Sequence, residues 1–170
     1  HVYTEAVRPL DVRYRPDPDI DGNWWPHPAL DAAWWHTRSD ADLPDLVHLH
    51  FGFDHLSVAD TRALVEVLRD RGVPLVVTVH DLDNPHFVDQ SEHHAKLHVL
   101  LDAAAARITL TDAAATRLRP GARIIPHPRV VTHPPQATGT GTGIGVFLTS
   151  LRANVITDPV FYRILARTVH

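Results

Sequence analysis

The sequence predicts an α/β fold built on a doubly wound, mostly parallel sheet, and three observations carry that reading. Short apolar runs alternate with segments whose apolar residues recur at helical spacing. The run Pro74–His80 (PLVVTVH) is almost continuously apolar, as expected of a strand covered on both faces. Glycine and proline stand between the runs, as in the Gly72–Pro74 stop. Strands that alternate with helices imply parallel pairing through right-handed crossovers.

The elements follow in order. Residues 1–44 are rich in proline and aspartate and hold two tryptophan pairs, Trp24–Trp25 and Trp34–Trp35. Proline at this density blocks long helices and sheet interiors, so the segment reads as extended loop with a short helix around Ala29–Trp35. Its tryptophans read as groups that pin the loop to the core, with stacking on a ligand as the sharper alternative. Asp45–Phe51 is apolar and runs into Gly52, a strand entering a tight turn. Leu56, Ala59, Ala63, Leu64, Val67 and Leu68 then keep helical spacing, and Ser57 with Asp60 forms an N-terminal cap pair. After the strand over Pro74–His80, Ser91 is positioned to cap a helix that buries Leu97, Leu100, Leu101 and Ala104. Its histidines 93, 94 and 98 are read as a solvated face. Arg107–Thr111 is the next strand, Asp112–Leu118 a short helix and Ala122–Pro126 a further strand.

Residues 134–143 (PPQATGTGTG) form a flexible linker. Beyond it, Ile144–Leu151 reads as a strand and about 159–169 as a helix. One such unit cannot make a domain, so residues 144–170 belong to something larger or dock on residues 45–133.

Composition narrows the classes. Hydrophobic residues make up 44% and charged residues 21%, ordinary for a globular domain. The net charge of −4 gives no footprint for nucleic acid, which is not expected as a partner. With no cysteine, disulfides and thiolate metal sites are excluded. No apolar run approaches the roughly 20 residues needed to span a bilayer, and no leader is visible, so a cytoplasmic location is the expectation. The absence of methionine suggests a native start upstream.

Ligands of open parallel sheets bind beyond the carboxyl ends of the strands. The predicted strand exits carry His50-Phe51-Gly52, His80-Asp81, Thr111-Asp112 and His127-Pro128. Gly52 lets backbone N–H groups approach a ligand, and a helix N-terminus there favours an anion. A strand-terminal imidazole beside a carboxylate, His80-Asp81, can bind sugar hydroxyls, transfer protons or contact phosphate. The plainer reading is a histidine satisfying loop carbonyls. His48 and His50 alternate along one strand and share a face. The H-x-H spacing also occurs in metal-dependent hydrolases, with His55, His80 or Asp81 as a third ligand, whereas the structural reading of His48 is a hydrogen-bonded sheet residue. No Walker-type phosphate loop is present, and the glycines of 139–145 precede a strand rather than a helix.

The order DLVHLHFG, amphipathic helix, RGVPLVVTVHD, helix, ARITLTDA, then RIIPHP resembles the N-terminal half of the GT-B glycosyltransferases, especially the family 4-like group. The match spans about Asp45 to Pro128, and Ile144–Asn154 resembles the start of the donor domain. The resemblance implies a Rossmann-like acceptor-side domain, one half of a GT-B fold, facing a donor domain across a cleft. It implies transfer of a sugar from a nucleotide-diphosphate sugar to a sugar, lipid or small-molecule acceptor. A lipid acceptor would bring peripheral membrane association. No cofactor beyond that co-substrate and no metal is implied. His80 and Asp81 are then the catalytic candidates, and His50, Gly52, Thr111, His127 and Arg152 the substrate-binding ones. Arg152 corresponds to a basic residue against the donor diphosphate, although Ser150-Leu151 replaces the usual preceding glycine. The family's paired donor-domain glutamates and its first glycine-rich loop have no counterpart in this sequence, so the chain alone is expected to be inactive. The rival readings are a hydrolase using His48 and His50, and a non-catalytic α/β binding module.

Overall fold

The computed structural model describes residues 9–15, 25–118, 121–128 and 156–168. Four strands, β1 (Val47–Leu49), β2 (Leu75–Val79), β3 (Ala106–Thr109) and β4 (Arg123–Ile124), form one all-parallel sheet in the order β1-β2-β3-β4. Helices α2 (Val58–Asp70), α3 (Ser91–Ala103) and α4 (Asp112–Arg117) make the three crossovers. This is the expected Rossmann-like α/β sheet. Its strand order never reverses, so right-handed crossovers all lie to one side, and α2 and α3 pack directly on each other. The reversal that winds helices onto a second face is not among the described residues.

Local chemistry explains the main boundaries. Ser57 Oγ accepts from Asp60 N at 3.1 Å while Ser57 N donates to Asp60 Oδ2 at 3.1 Å, a full capping box that opens α2. Gly72, with φ of +67°, ends that helix in a conformation other residues adopt at a cost. The strand edges are shorter than predicted. Among the described residues β1 pairs with β2 alone, and Asp45 and Leu46 lie exposed before it.

Register fixes two faces. Leu49 lies beside Val77 and His48 beside Val76. Leu49, Leu75, Val77 and Val79 point into the core with Leu64, Val67 and Leu68 of α2 and Leu97, Leu100 and Leu101 of α3. His48, Val76 and Thr78 alternate onto the other face.

Trp24 lies outside the described residues, whereas the described stretch of the early segment at 25–44 holds to this core as expected. It forms a 3-10 turn at Pro28–Leu30 and the short helix α1 (Ala32–His36). Trp35 is 1% exposed in the core, and its Nε1 donates to Ala29 O at 2.8 Å. Arg71 Nη2 donates to Arg38 O at 2.7 Å and pairs with Asp40 at 3.1 Å, tying the segment to the end of α2.

Two expectations for α3 are corrected. Gln90, not Ser91, occupies the N-cap position, and its side chain turns back to donate to Asn84 O and Phe87 O. Ser91 is the first helical residue, its N–H held by Asp89 Oδ1 at 2.9 Å. The histidines do not share a solvated face either. His94 and His98 are exposed, but His93 is 4% exposed. Its place four residues before Leu97 and seven before Leu100 puts it on the buried stripe.

The linker at 134–143, the strand predicted at Ile144–Leu151 and Arg152 lie outside the described residues. The helix predicted near 159–169 is present as α5 (Pro159–Thr168). No helix among the described residues is long and apolar enough to cross a membrane.

Candidate functional site

Parallel strands deliver their carboxyl ends to one edge, so the loops after β1 and β2 converge there. Between them lies a cavity of about 700 Å³, lined by His50, Gly52, His80 and Asp81 among others. Gly52 adopts φ of +91°, which turns the chain sharply out of β1. Its carbonyl accepts from Trp25 Nε1 at 2.9 Å and from His55 Nδ1 at 3.1 Å. Trp25 thereby stands at the rim of the cavity, 42% exposed and edge-on to His55.

The strongest feature is a histidine cluster. His50 Nδ1 and His80 Nε2 are 3.2 Å apart, so the N–H of one ring donates a hydrogen bond to the lone pair of the other. His48 lies beside His50 with ring centroids 4.0 Å apart, and its Nε2 shares a hydrogen bond of 2.8 Å with Thr78 Oγ1. Phe51 closes on His80 at 5.4 Å between centroids.

Burial holds these rings neutral. His50 is lowered to about 3, first by desolvation and then by His48 and His80. His48 is lowered by desolvation and next by His80. His80 is lowered chiefly by desolvation; Asp81 opposes the shift and His127 adds to it. At neutral pH the cluster therefore presents uncharged donors and acceptors rather than imidazolium.

These shifts make stability depend on pH. A depressed imidazole binds fewer protons folded than unfolded, so its contribution is complete above the unfolded value of 6.5. It is lost as pH falls through that value toward about 3 for His50. Solvent at these half-buried rings screens the effect. We expect the urea midpoint to drop between about pH 7 and about pH 5, where carboxylates are still ionised, and His50→Gln to flatten the drop. A wild-type midpoint constant over that range would show that the rings take up protons freely in the folded chain.

The other predicted residues are placed differently. Thr111 caps α4, its Oγ1 accepting from Ala114 N at 3.1 Å, and it does not line the cavity. His127 is exposed, with Nδ1 donating to Pro128 O at 2.9 Å, yet it acts electrostatically on His80. Asp81 lies exposed on the rim. The sheet thus gathers His50, Gly52, His80 and Asp81 and leaves Thr111 outside.

Sequence reasoning missed the residues that tie the two loops together. Asn84 is buried, and its Nδ2 donates to Asp54 Oδ1 at 2.6 Å. Lys96, the only lysine, is 2% exposed, and its Nζ donates to Asp54 O at 3.0 Å and Leu56 O at 2.9 Å. Glu92 stands 3.8 Å from that ammonium. His93 completes the inner wall of the cavity, nearly parallel to Phe53 with centroids 6.0 Å apart. The helical stripe through Leu97 and Leu100 was the one sequence signal that could have revealed its burial.

Among the described residues, no group of three or more His, Asp or Glu side chains is arranged to hold a metal ion. His48 uses its Nε2 on Thr78, and His50 and His80 use ring nitrogens on each other, which weakens the case for a shared metal. No protein-family model, curated protein or solved structure matches the chain. What stands is a small α/β domain with a four-stranded parallel sheet and a histidine-lined crevice at its carboxyl edge.

Proposed function

We propose that the chain is the acceptor-side part of a glycosyltransferase that uses a nucleotide-diphosphate sugar. The observation that carries this reading is the contact of two neutral imidazoles, His50 and His80, at the carboxyl edge of a parallel sheet above an open cavity. Such a pair suits hydroxyl groups, because outside their mutual contact the two rings together present one N–H and one lone pair. In the reaction, an acceptor hydroxyl oxygen bonds to the anomeric carbon of the donor. The bond from that carbon to the diphosphate breaks, its electron pair leaving with the nucleotide, and the hydroxyl proton passes to the departing diphosphate. His80 orients a sugar hydroxyl in this scheme, His50 fixes the His80 ring, and Asp81 shifts its proton affinity upward. The resemblance of the sequence supports the donor class, and Arg152 is its candidate diphosphate contact.

Donor binding in such an enzyme belongs mainly to a second domain, whose start would be residues 144–170. The 170-residue chain should therefore bind nucleotide sugars very weakly by calorimetry, while the intact gene product releases nucleoside diphosphate from one of them in the presence of chelator. Micromolar binding of a nucleotide sugar to the chain alone would relocate the donor site into the described crevice. Abolition of turnover by chelator would instead favour a metal-dependent hydrolase.

A further inference from the structure

Lys96 lies in the middle of α3 and is 2% exposed, yet its ammonium donates to the backbone of a distant loop, to Asp54 O at 3.0 Å and Leu56 O at 2.9 Å. Burying an ammonium is costly, and an apolar side chain of similar volume often gives as much stability. Carbonyl oxygens bring no opposite charge, and Glu92, 64% exposed, stands 3.8 Å away. What the ammonium supplies is position. Its contacts continue into a closed circuit. The Asp54 carboxylate accepts from Asn84 Nδ2 at 2.6 Å, and the orientation of that amide is fixed because Asn84 Oδ1 accepts from His86 N at 2.9 Å. Gln90, the N-cap of α3, accepts from Asn84 N at 2.7 Å and donates to Asn84 O at 2.9 Å. The path runs from α3 to the loop after β1, across to the loop after β2, and back to α3.

We propose that Lys96 is a positioning residue, which through Asp54 and Asn84 fixes the two crevice loops against each other and thereby sets the contact of His50 with His80. The loops meet first at the strand ends, where His50 Nδ1 and His80 Nε2 are 3.2 Å apart. They meet again four residues farther along each, at Asp54 and Asn84. The span between the two contacts is short and well held. Gly52 O accepts from Trp25 and His55, Leu56 N donates to Phe53 O at 3.1 Å, and Phe51 packs on His80. A displacement at Asp54 is therefore carried to the rings rather than absorbed on the way. A lysine that merely stabilised α3 against its neighbour would leave the ring pair indifferent to its loss. The value of the ring contact for sugar transfer rests on the transferase reading, whereas the geometry of the circuit does not.

The test is ¹⁵N-histidine NMR of the chain at neutral pH, with Lys96→Met, Asp54→Ala and the double variant. Methionine keeps the buried stem and removes the donors. Alanine at 54 leaves both backbone acceptors of Lys96 in place and cuts only the link between the loops. In the wild-type chain the contact holds each ring of the pair in one tautomer. In either single variant we expect the His50 and His80 ring nitrogens to move toward the averaged values of an unconstrained imidazole, while His36 on α1 stays in place as a reference. Amides of residues 84–90 should exchange about tenfold faster in either variant, and no faster in the double one, because both changes break one circuit. Lys96→Gln, which keeps N–H donors on a shorter stem, replaces Lys96→Met in each comparison if that variant does not fold. Unchanged His50 and His80 resonances in a folded Lys96 variant, or additive exchange effects in the double one, would overturn the inference. In the full-length enzyme Lys96→Met should lower turnover about tenfold with a smaller change in KM. Shifted rings with unchanged turnover would leave the positioning role standing and remove the histidine pair from the transferase reading.

Discussion

Trp35→Ala is expected to destabilise the domain by about 3–5 kcal/mol, the usual cost of emptying a large aromatic site. The side chain is 1% exposed within the main core cluster, beside Leu30 and the α2 residues. It carries a second role, because Nε1 donates to Ala29 O at 2.8 Å and so closes the 3-10 turn on α1. Truncation would leave a cavity too large for short side chains to fill and a carbonyl without its donor. A domain of this size has about 5–15 kcal/mol in total, so the variant would stand near the edge of folding. Trp35→Phe separates the two contributions. It keeps most of the ring and loses the hydrogen bond, so a loss of about 1–2 kcal/mol is expected. Urea denaturation of both variants measures this. A Trp35→Ala midpoint close to wild type would mean that the 25–44 segment is not fastened to the core at all.

That segment shows what a sequence can and cannot reveal. Proline density and paired tryptophans were enough to expect a pinned loop with one short helix, because both are local properties of the chain. The capping box at Ser57, the Gly72 stop and the alternation of strands with helices are local as well, and each appears where expected. The beginning of α3 resisted the same reasoning. Its N-cap residue Gln90 is committed to the carbonyls of Asn84 and Phe87, a partnership set by how the 80–90 loop folds back rather than by neighbouring residue types. Lys96 is harder still. A lysine in a helix ordinarily lies in solvent, and this one is buried because two loop carbonyls from residues 40 and 42 positions earlier meet its ammonium. The strand exits were legible, since a parallel sheet sends them all to one edge. Which of them meet was not. His50 and His80 meet because β1 and β2 are hydrogen-bonded neighbours, while Thr111, two residues past β3, is taken up as the cap of α4.

Under the transferase reading proposed above, His80→Ala in the full-length enzyme is expected to lower turnover by roughly a hundredfold or more while leaving the fold in place. A donor or acceptor held rigidly toward the reacting centre is often worth ~3 kcal/mol of barrier, and each decade of rate is about 1.4 kcal/mol. Rigidity here has identifiable sources. The backbone of His80 follows directly on β2, which is hydrogen-bonded to strands on both sides. Its ring is fixed by His50 at 3.2 Å and flanked by Phe51. Stability should suffer little, because His80 is half-buried and outside the hydrophobic core, and water in the open crevice can replace its ring as the partner of His50 Nδ1. His50→Gln should then give an intermediate loss of turnover, since the His80 ring stays in place with its orientation less strictly held. The purely structural reading of the pair forecasts the reverse for His80→Ala: a lower thermal midpoint and turnover per folded molecule close to wild type. Measuring turnover and thermal midpoint on the same preparations separates the two, and a destabilised but fully active His80→Ala protein would take His80 out of the reaction.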